Sequence, residues 1–167
     1  MKRIALLFAA AFFFQAAIAK GVYQTPEAFL NQVFEGNTPP LSSVWLTKDK
    51  KEVITQFLQH KPSFIRVKYW QDGEKTAWIL DEVGKEKPIT IGVVIESGKI
   101  QQLKVLTFRE SRGWEVKHTF FTRQFDNVGI NQDQQLDKHI DGISGATLSV
   151  RALKKVARIA LYLEQQL

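Results

Sequence analysis

Cysteine does not occur anywhere in the chain. Its absence excludes disulfides, thiolate metal sites, iron–sulfur clusters and c-type haem attachment. Histidine is nearly as scarce. His60, His118 and His139 are too scattered to form a ligand set, so no metal site is expected. Redox work by this chain therefore requires an organic cofactor. Long hydrophobic runs are also missing. The one apolar run, Ile4 to Phe14, is shorter than the roughly 20 residues that span a bilayer. It follows Lys2 and Arg3 and precedes Ala17-Ile18-Ala19, a small-x-small cleavage pattern. Residues 1–19 read as a signal peptide cut before Lys20, with no Cys behind the run to take a lipid anchor. Export to a bacterial periplasm is the expectation, with no stable membrane span after cleavage. Residues 20–167 read as a single domain with a helical N-terminal part at about 25–61.

No strong excess of one charge is present. The chain carries 23 basic and 17 acidic side chains, a formal +6. Removing Lys2 and Arg3 leaves 21 against 17, or +4. That excess steers anionic partners at long range. The basic residues are interleaved with Glu and Asp and the protein reads as exported, so nucleic acid is not an expected partner.

What is present is a clear alternation of helix and strand signals. Thr25 and Pro26 open a short helix, and Thr47 caps a second in which Val53, Ile54, Phe57 and Leu58 recur at helical spacing. Lys61-Pro62 ends that helix. Four strands follow: Phe64–Trp70, Thr76–Leu80, Ile89–Ile95 and Ile100–Phe108, the first pair joined by an Asp72-Gly73 hairpin signal. Phe120, Phe121 and Phe125 read as an aromatic cover for the sheet, and Val128 to Gln135 as a loop. A last helix is expected from about Val150, with Leu153, Val156, Ala157, Ala160 and Leu161 inward and Lys154, Lys155 and Arg158 outward. The predicted fold class is α+β: an antiparallel sheet of about four or more strands, packed by helices, with a long C-terminal helix.

The segment before that helix is Asp141-Gly142-Ile143-Ser144-Gly145-Ala146-Thr147-Leu148-Ser149. Gly142 and Gly145 permit tight turns, successive amides can converge on an anion, and the helix start adds unpaired N–H groups and a favourable dipole. Ser144, Thr147 and Ser149 add hydroxyls. A phosphate is a sensible guest. The residues equally allow a plain helix cap by Thr147 or Ser149. The segment matches neither the nucleotide-hydrolase phosphate loop nor the dinucleotide fingerprint.

Asp141 through Thr147 resembles the flavinylation motif of the FMN-binding domain family: an Asp, two variable residues, then Ser/Thr-Gly-Ala-Thr. The family includes the flavin-bearing subunits of Rnf and sodium-pumping quinone reductase complexes. The resemblance implies covalent FMN on Thr147 through a phosphoester, installed outside the cytoplasm by a flavin transferase using FAD and Mg²⁺. Asp141, Gly142, Ser144, Gly145, Ala146 and Ser149 would form the surrounding loop. Glu110-Ser111-Arg112-Gly113 resembles a segment near the flavin in that family. Glu110 and Ser111 would then meet the ring or ribityl chain, Arg112 the reduced flavin, and Trp114, or else Trp78, would stack on the ring. The implied function is a periplasmic electron-transfer flavoprotein exchanging electrons with periplasmic or membrane redox proteins such as c-type cytochromes, rather than a substrate-converting enzyme. The alternative is a noncatalytic binding or assembly module with noncovalent or no FMN.

Overall fold

A computed structural model describes residues 21–167; the expected signal peptide and Lys20 lie outside the described residues. Five strands follow one another in sequence order as an antiparallel meander: β1 (Ser42–Trp45), β2 (Arg66–Asp72), β3 (Lys75–Val83), β4 (Pro88–Glu96) and β5 (Lys99–Phe108). The helices are α1 (Pro26–Val33), α2 (Lys48–Leu58), the single turn α3 (Thr119–Thr122) and α4 (Thr147–Glu164). The class is α+β, with the long C-terminal helix in place. No helix among the described residues is long and apolar enough to cross a membrane.

Local chemistry explains the regular parts. Thr25 Oγ1 accepts from the Ala28 N–H at 3.1 Å with Pro26 as the first residue of α1, and Thr47 Oγ1 accepts from Lys50 N–H at 3.4 Å. Ser97 and Gly98 both take positive φ, +51° and +72°, and close β4 onto β5 in a two-residue turn between Glu96 and Lys99. β1 was not expected. Its Ser-Ser-Val-Trp sequence carries little alternation, and pairing supplies what pattern does not: Val44 lies opposite Val67 in β2.

The sheet is covered on both faces. On one, α1 seats Phe29 over Gly92 in β4, with Leu30, Phe34, Ala77, Val94 and Leu106 completing a small cluster. On the other lies the main core, where α4 packs over Trp78, Ile91, Val93, Ile95, Leu103 and Val105, and α2 packs against α4. Covering both faces explains why β4 reads as continuously apolar rather than alternating. Trp78 is fully buried, stacks on Tyr69 at 5.0 Å and donates Nε1–H to Thr76 Oγ1 at 2.9 Å. It is a core residue, and the expectation that it could stack on a flavin is corrected.

Helix α4 begins at Thr147, three residues before the expected start, and its inner side from Val150 to Leu163 is buried. Each fully buried Leu, Ile or Val of that side contributes about 1.5–3 kcal/mol. Its cationic side chains do not simply face water. Lys155 Nζ lies 2.9 Å from the buried Glu82 Oε1, and the Arg158 guanidinium lies 4.1 Å from the Phe57 ring centroid. The aromatic cluster also divides. Phe121 and Phe125 are buried edge to face at 5.9 Å, whereas Phe120 is 66% exposed. The outer edge of β5 is partly closed by two segments. Val22 bridges to Thr107, and Ile100 exchanges backbone bonds with Asn127 and Val128, each at 2.8 Å.

Candidate functional site

The chain between Phe125 and α4 is tied down by side chains as well as by short backbone pairings, the Ile130–Leu136 bridge and the bond from Asp137 N–H to Gly129 O at 3.0 Å. Asp137 accepts from the Gly129 N–H at 2.8 Å through Oδ1 and from Lys99 Nζ through Oδ2, which closes the 129–137 excursion at its base. The Lys99 hydrogen bond is the main cause that holds the Asp137 carboxyl below its ordinary range, against an opposing push from desolvation. The Asp141 N–H then donates to Gln124 Oε1 at 2.7 Å. Ile140 is buried and Ile143 packs on the core, so the loop is anchored immediately before the helix.

The helix start is built differently from the other two long helices. Gly145 has φ +83°, a left-handed conformation that glycine adopts without a Cβ clash. Ala146 occupies the N-cap position, and no side chain caps it. The first helical bond at this end runs from Val150 N–H to Ala146 O at 2.9 Å. The N–H groups of Thr147, Leu148 and Ser149 therefore sit ahead of the helical ladder, at the positive end of an 18-residue helix. Thr147 is the first helical residue and is exposed; Ser144 and Gly142 are exposed beside it. The plain helix-cap role open to Thr147 and Ser149 in the sequence is not the one they play. Both lie inside the helix, whereas Thr25 and Thr47 cap α1 and α2 by side-chain hydrogen bonds.

A second segment meets this start. Gly113 has φ +84° and is buried, and a Cβ built there would fall 2.5 Å from Ser149 Oγ and 3.4 Å from Ala146 Cα. The turn after β5 is thus in direct contact with the first turn of α4. It presents Trp114, 45% exposed. Around Trp114 stands a rim of aromatic and cationic groups. His118 meets it edge to face at 5.4 Å, and Phe120 stacks on His118 at 6.1 Å. Lys117 Nζ lies 5.1 Å from the Trp114 centroid and 4.1 Å from that of Tyr23. Glu115 Oε2 is buried with no hydrogen-bond partner among the described residues. It is an acceptor next in sequence to Trp114 that lacks a donor.

The expected site residues are therefore distributed as follows. Gly145, Ala146, Thr147, Ser149 and Trp114 gather at one place through the Gly113 contact. Ser111 and Arg112 are exposed in the turn leading there. Glu110 reaches the β3–β4 turn. Its Oε1 accepts from the backbone N–H groups of Lys85, Glu86 (2.7 Å) and Lys87 (3.0 Å), pinning the β3–β4 turn. Desolvation is the largest single influence on Glu110 and pushes its pKa up. The three N–H bonds and the Lys85 charge together outweigh it and hold the carboxyl below its ordinary value. The Asp141 carboxylate is exposed, 3.4 Å from His139 Nε2. Tyr23 and Glu115 were not singled out in the sequence. Tyr23 arrives from far away in the chain, through the Val22–Thr107 bridge, and no local pattern announces it. Glu115 sits among ordinary surface charges of the sequence; only its lack of a partner in the fold marks it. Among the described residues no group of three or more His, Asp or Glu is placed to hold a metal ion.

These features fit a phosphorylated aromatic ligand. An uncapped helix start behind a left-handed glycine accepts a phosphate, and exposed aromatic side chains stand on the turn that meets it. The FMN-binding domain family matches residues 84–162, from the turn before β4 to the end of α4. An FMN-binding domain is present over that span. No curated protein matched the chain.

Proposed function

We propose that this protein is an extracytoplasmic electron-transfer flavoprotein that carries FMN in phosphoester linkage to Thr147. The observation that carries the reading is the start of α4. The positive end of its dipole and its free N–H groups lie where a Thr hydroxyl stands exposed, and no side chain among the described residues caps it. The loop from Asp141 to Ala146 has the residues that the resemblance assigns to flavinylation, in a conformation suited to an anion.

In the attachment step Thr147 Oγ1 attacks the phosphorus on the riboflavin side of FAD. The Oγ1–P bond forms, the P–O–P anhydride bond breaks, AMP leaves, and the hydroxyl proton passes to the flavin transferase. No electrons are exchanged. The N–H groups of Thr147, Leu148 and Ser149 at the helix start would stabilise the one negative charge of such a phosphodiester. Gly145 and Gly142 keep side chains out of its way, and Ser144 offers a further hydroxyl. Asp141, whose carboxylate is exposed, would serve the transferase rather than the finished cofactor. When bound, FMN supplies one- and two-electron redox chemistry. Trp114, with Phe120 and His118 behind it, offers an aromatic surface for the ring, and Lys117 a positive charge beside it.

Electrons would pass to and from periplasmic or membrane redox proteins such as c-type cytochromes, met through the exposed rim around Trp114. The test is intact mass under denaturing conditions of protein secreted together with an active flavin transferase. An added mass of one FMN less one water, present in the parent and absent in Thr147→Ala, is the expected result. Unmodified parent protein, with a control substrate flavinylated in the same cells, refutes the phosphoester.

A further inference from the structure

Beyond the start of α4 the same helix forms one wall of a cavity of about 690 Å³. Arg151, Lys154 and Arg158 recur at helical spacing along that wall, and Lys138 and His139 of the preceding loop face it. Phe57 and Leu136 supply apolar surface. The volume falls within the range of small-ligand sites, roughly 300–1,000 Å³.

The charge of this cavity is not balanced. Of the nearby acidic side chains, Asp137 is engaged by Lys99 and the Gly129 N–H, Glu82 by Lys155 and His60, and the exposed Asp141 lies 3.4 Å from His139. Among the described residues Lys138, Arg151, Lys154 and Arg158 pair with no carboxylate. Arg158 is half-buried, held over Phe57 with its Nε donating to Gln134 O at 3.0 Å. Desolvation holds its pKa below the ordinary value, a sign of positive charge kept away from water with no counter-ion. Cations free of carboxylate partners lining a concave site, one of them held over an aromatic ring, are arranged to receive negative charge on an organic body.

We infer that this cavity binds a small organic polyanion, one bearing at least two phosphate or carboxylate groups, between the α4 stripe and the Lys138–His139 loop. The site is distinct from the attachment point: it begins one turn along α4 at Arg151, and it touches the flavin loop through the His139–Asp141 pair at 3.4 Å. Its occupancy would place a compensating charge along the helix that begins at Thr147.

The test uses Thr147→Ala protein, so that flavin plays no part, in about 0.1 M salt, where free charges are screened beyond about 10 Å. Inorganic pyrophosphate and citrate are titrated separately by calorimetry. Saturable binding of either supports the site, and which of the two binds identifies the anion as phosphate or carboxylate. Arg151→Gln/Lys154→Gln should weaken it by about tenfold or more, the loss expected for charge-assisted contacts. Lys48→Gln/Lys68→Gln removes the same charge elsewhere and should leave it unchanged. Thermal melts without ligand verify that both double variants fold, since Arg151, Lys48 and Lys68 are exposed and Lys154 is half-buried. Absence of saturation with both probes overturns the inference. Equal weakening in the two double variants also overturns it, by reducing the effect to net charge.

Discussion

Gly113→Ala tests whether the turn after β5 is truly fitted to the start of α4. Two penalties add. The residue has φ +84°, and an L side chain in left-handed backbone costs roughly 1–2 kcal/mol. The new Cβ would also lie 2.5 Å from Ser149 Oγ, inside any real contact distance. Relieving that overlap in a buried place costs a further 1–3 kcal/mol or so. The expected loss is about 2–5 kcal/mol, or a melting temperature lower by roughly 6–15 °C for a domain of this size. The two parts separate in a double-mutant cycle. Ser149→Ala removes the oxygen that the Cβ strikes, so Gly113→Ala/Ser149→Ala should recover the overlap part and keep the backbone part. Urea unfolding followed by far-UV circular dichroism gives all four free energies. A loss under about 0.5 kcal/mol for Gly113→Ala, or no favourable coupling with Ser149→Ala, would refute the packing of these two segments and the site drawn from it. Because Ser149 is two residues from Thr147, the same substitution should lower flavin loading in cells that carry the transferase.

Three further outcomes are expected. Trp78→Ala empties the centre of the main core and should cost about 3–5 kcal/mol in the same assay; a loss below about 1 kcal/mol would contradict the burial of that ring. Lys155→Met leaves Glu82 buried with only His60 beside it, and should cost on the order of 2–3 kcal/mol, less than a fully orphaned buried charge; neutral behaviour would show that the pair does not form. Asp137 has a folded pKa below its unfolded value, so its contribution is full above the unfolded carboxylate range and drains away as pH falls through the folded pKa. Asp137→Asn should therefore flatten the acid limb of the stability–pH curve, and parallel curves for parent and variant would exclude this linkage.

Much of the sheet was legible because its signals are local. β2 to β5 follow from apolar patterning and from turn residues such as Asp72-Gly73 and Ser97-Gly98. β1 was not, because Ser42 and Ser43 carry no strand signal and the strand exists through its partner. The α4 boundary moved to Thr147 because the capping rule favours a polar N-cap, and here Ala146 occupies it after a left-handed Gly145. That departure falls at the proposed site, where local consistency is expected to fail. Glu110 shows the converse. Its place in a motif suggested a ligand contact, whereas three backbone N–H groups from a turn distant in sequence claim one of its oxygens. The cation stripe on α4 was legible as a polar face. Its concavity was not, since the opposite wall comes from Lys138 and His139 in a loop without periodicity.

Helix α4 has its first residue at the proposed attachment point and its body in the deepest part of the protein. Such a body opens only with global unfolding, so its amides should be among the slowest to exchange with solvent. A group fixed to Thr147 is then held on a stiff arm whose root cannot drift while the protein remains folded. The separation between that group and a docked partner would vary chiefly with how the partner sits. Each encounter would then offer nearly the same tunnelling path, and electron-transfer rates should spread less than they would from a prosthetic group carried on a mobile loop.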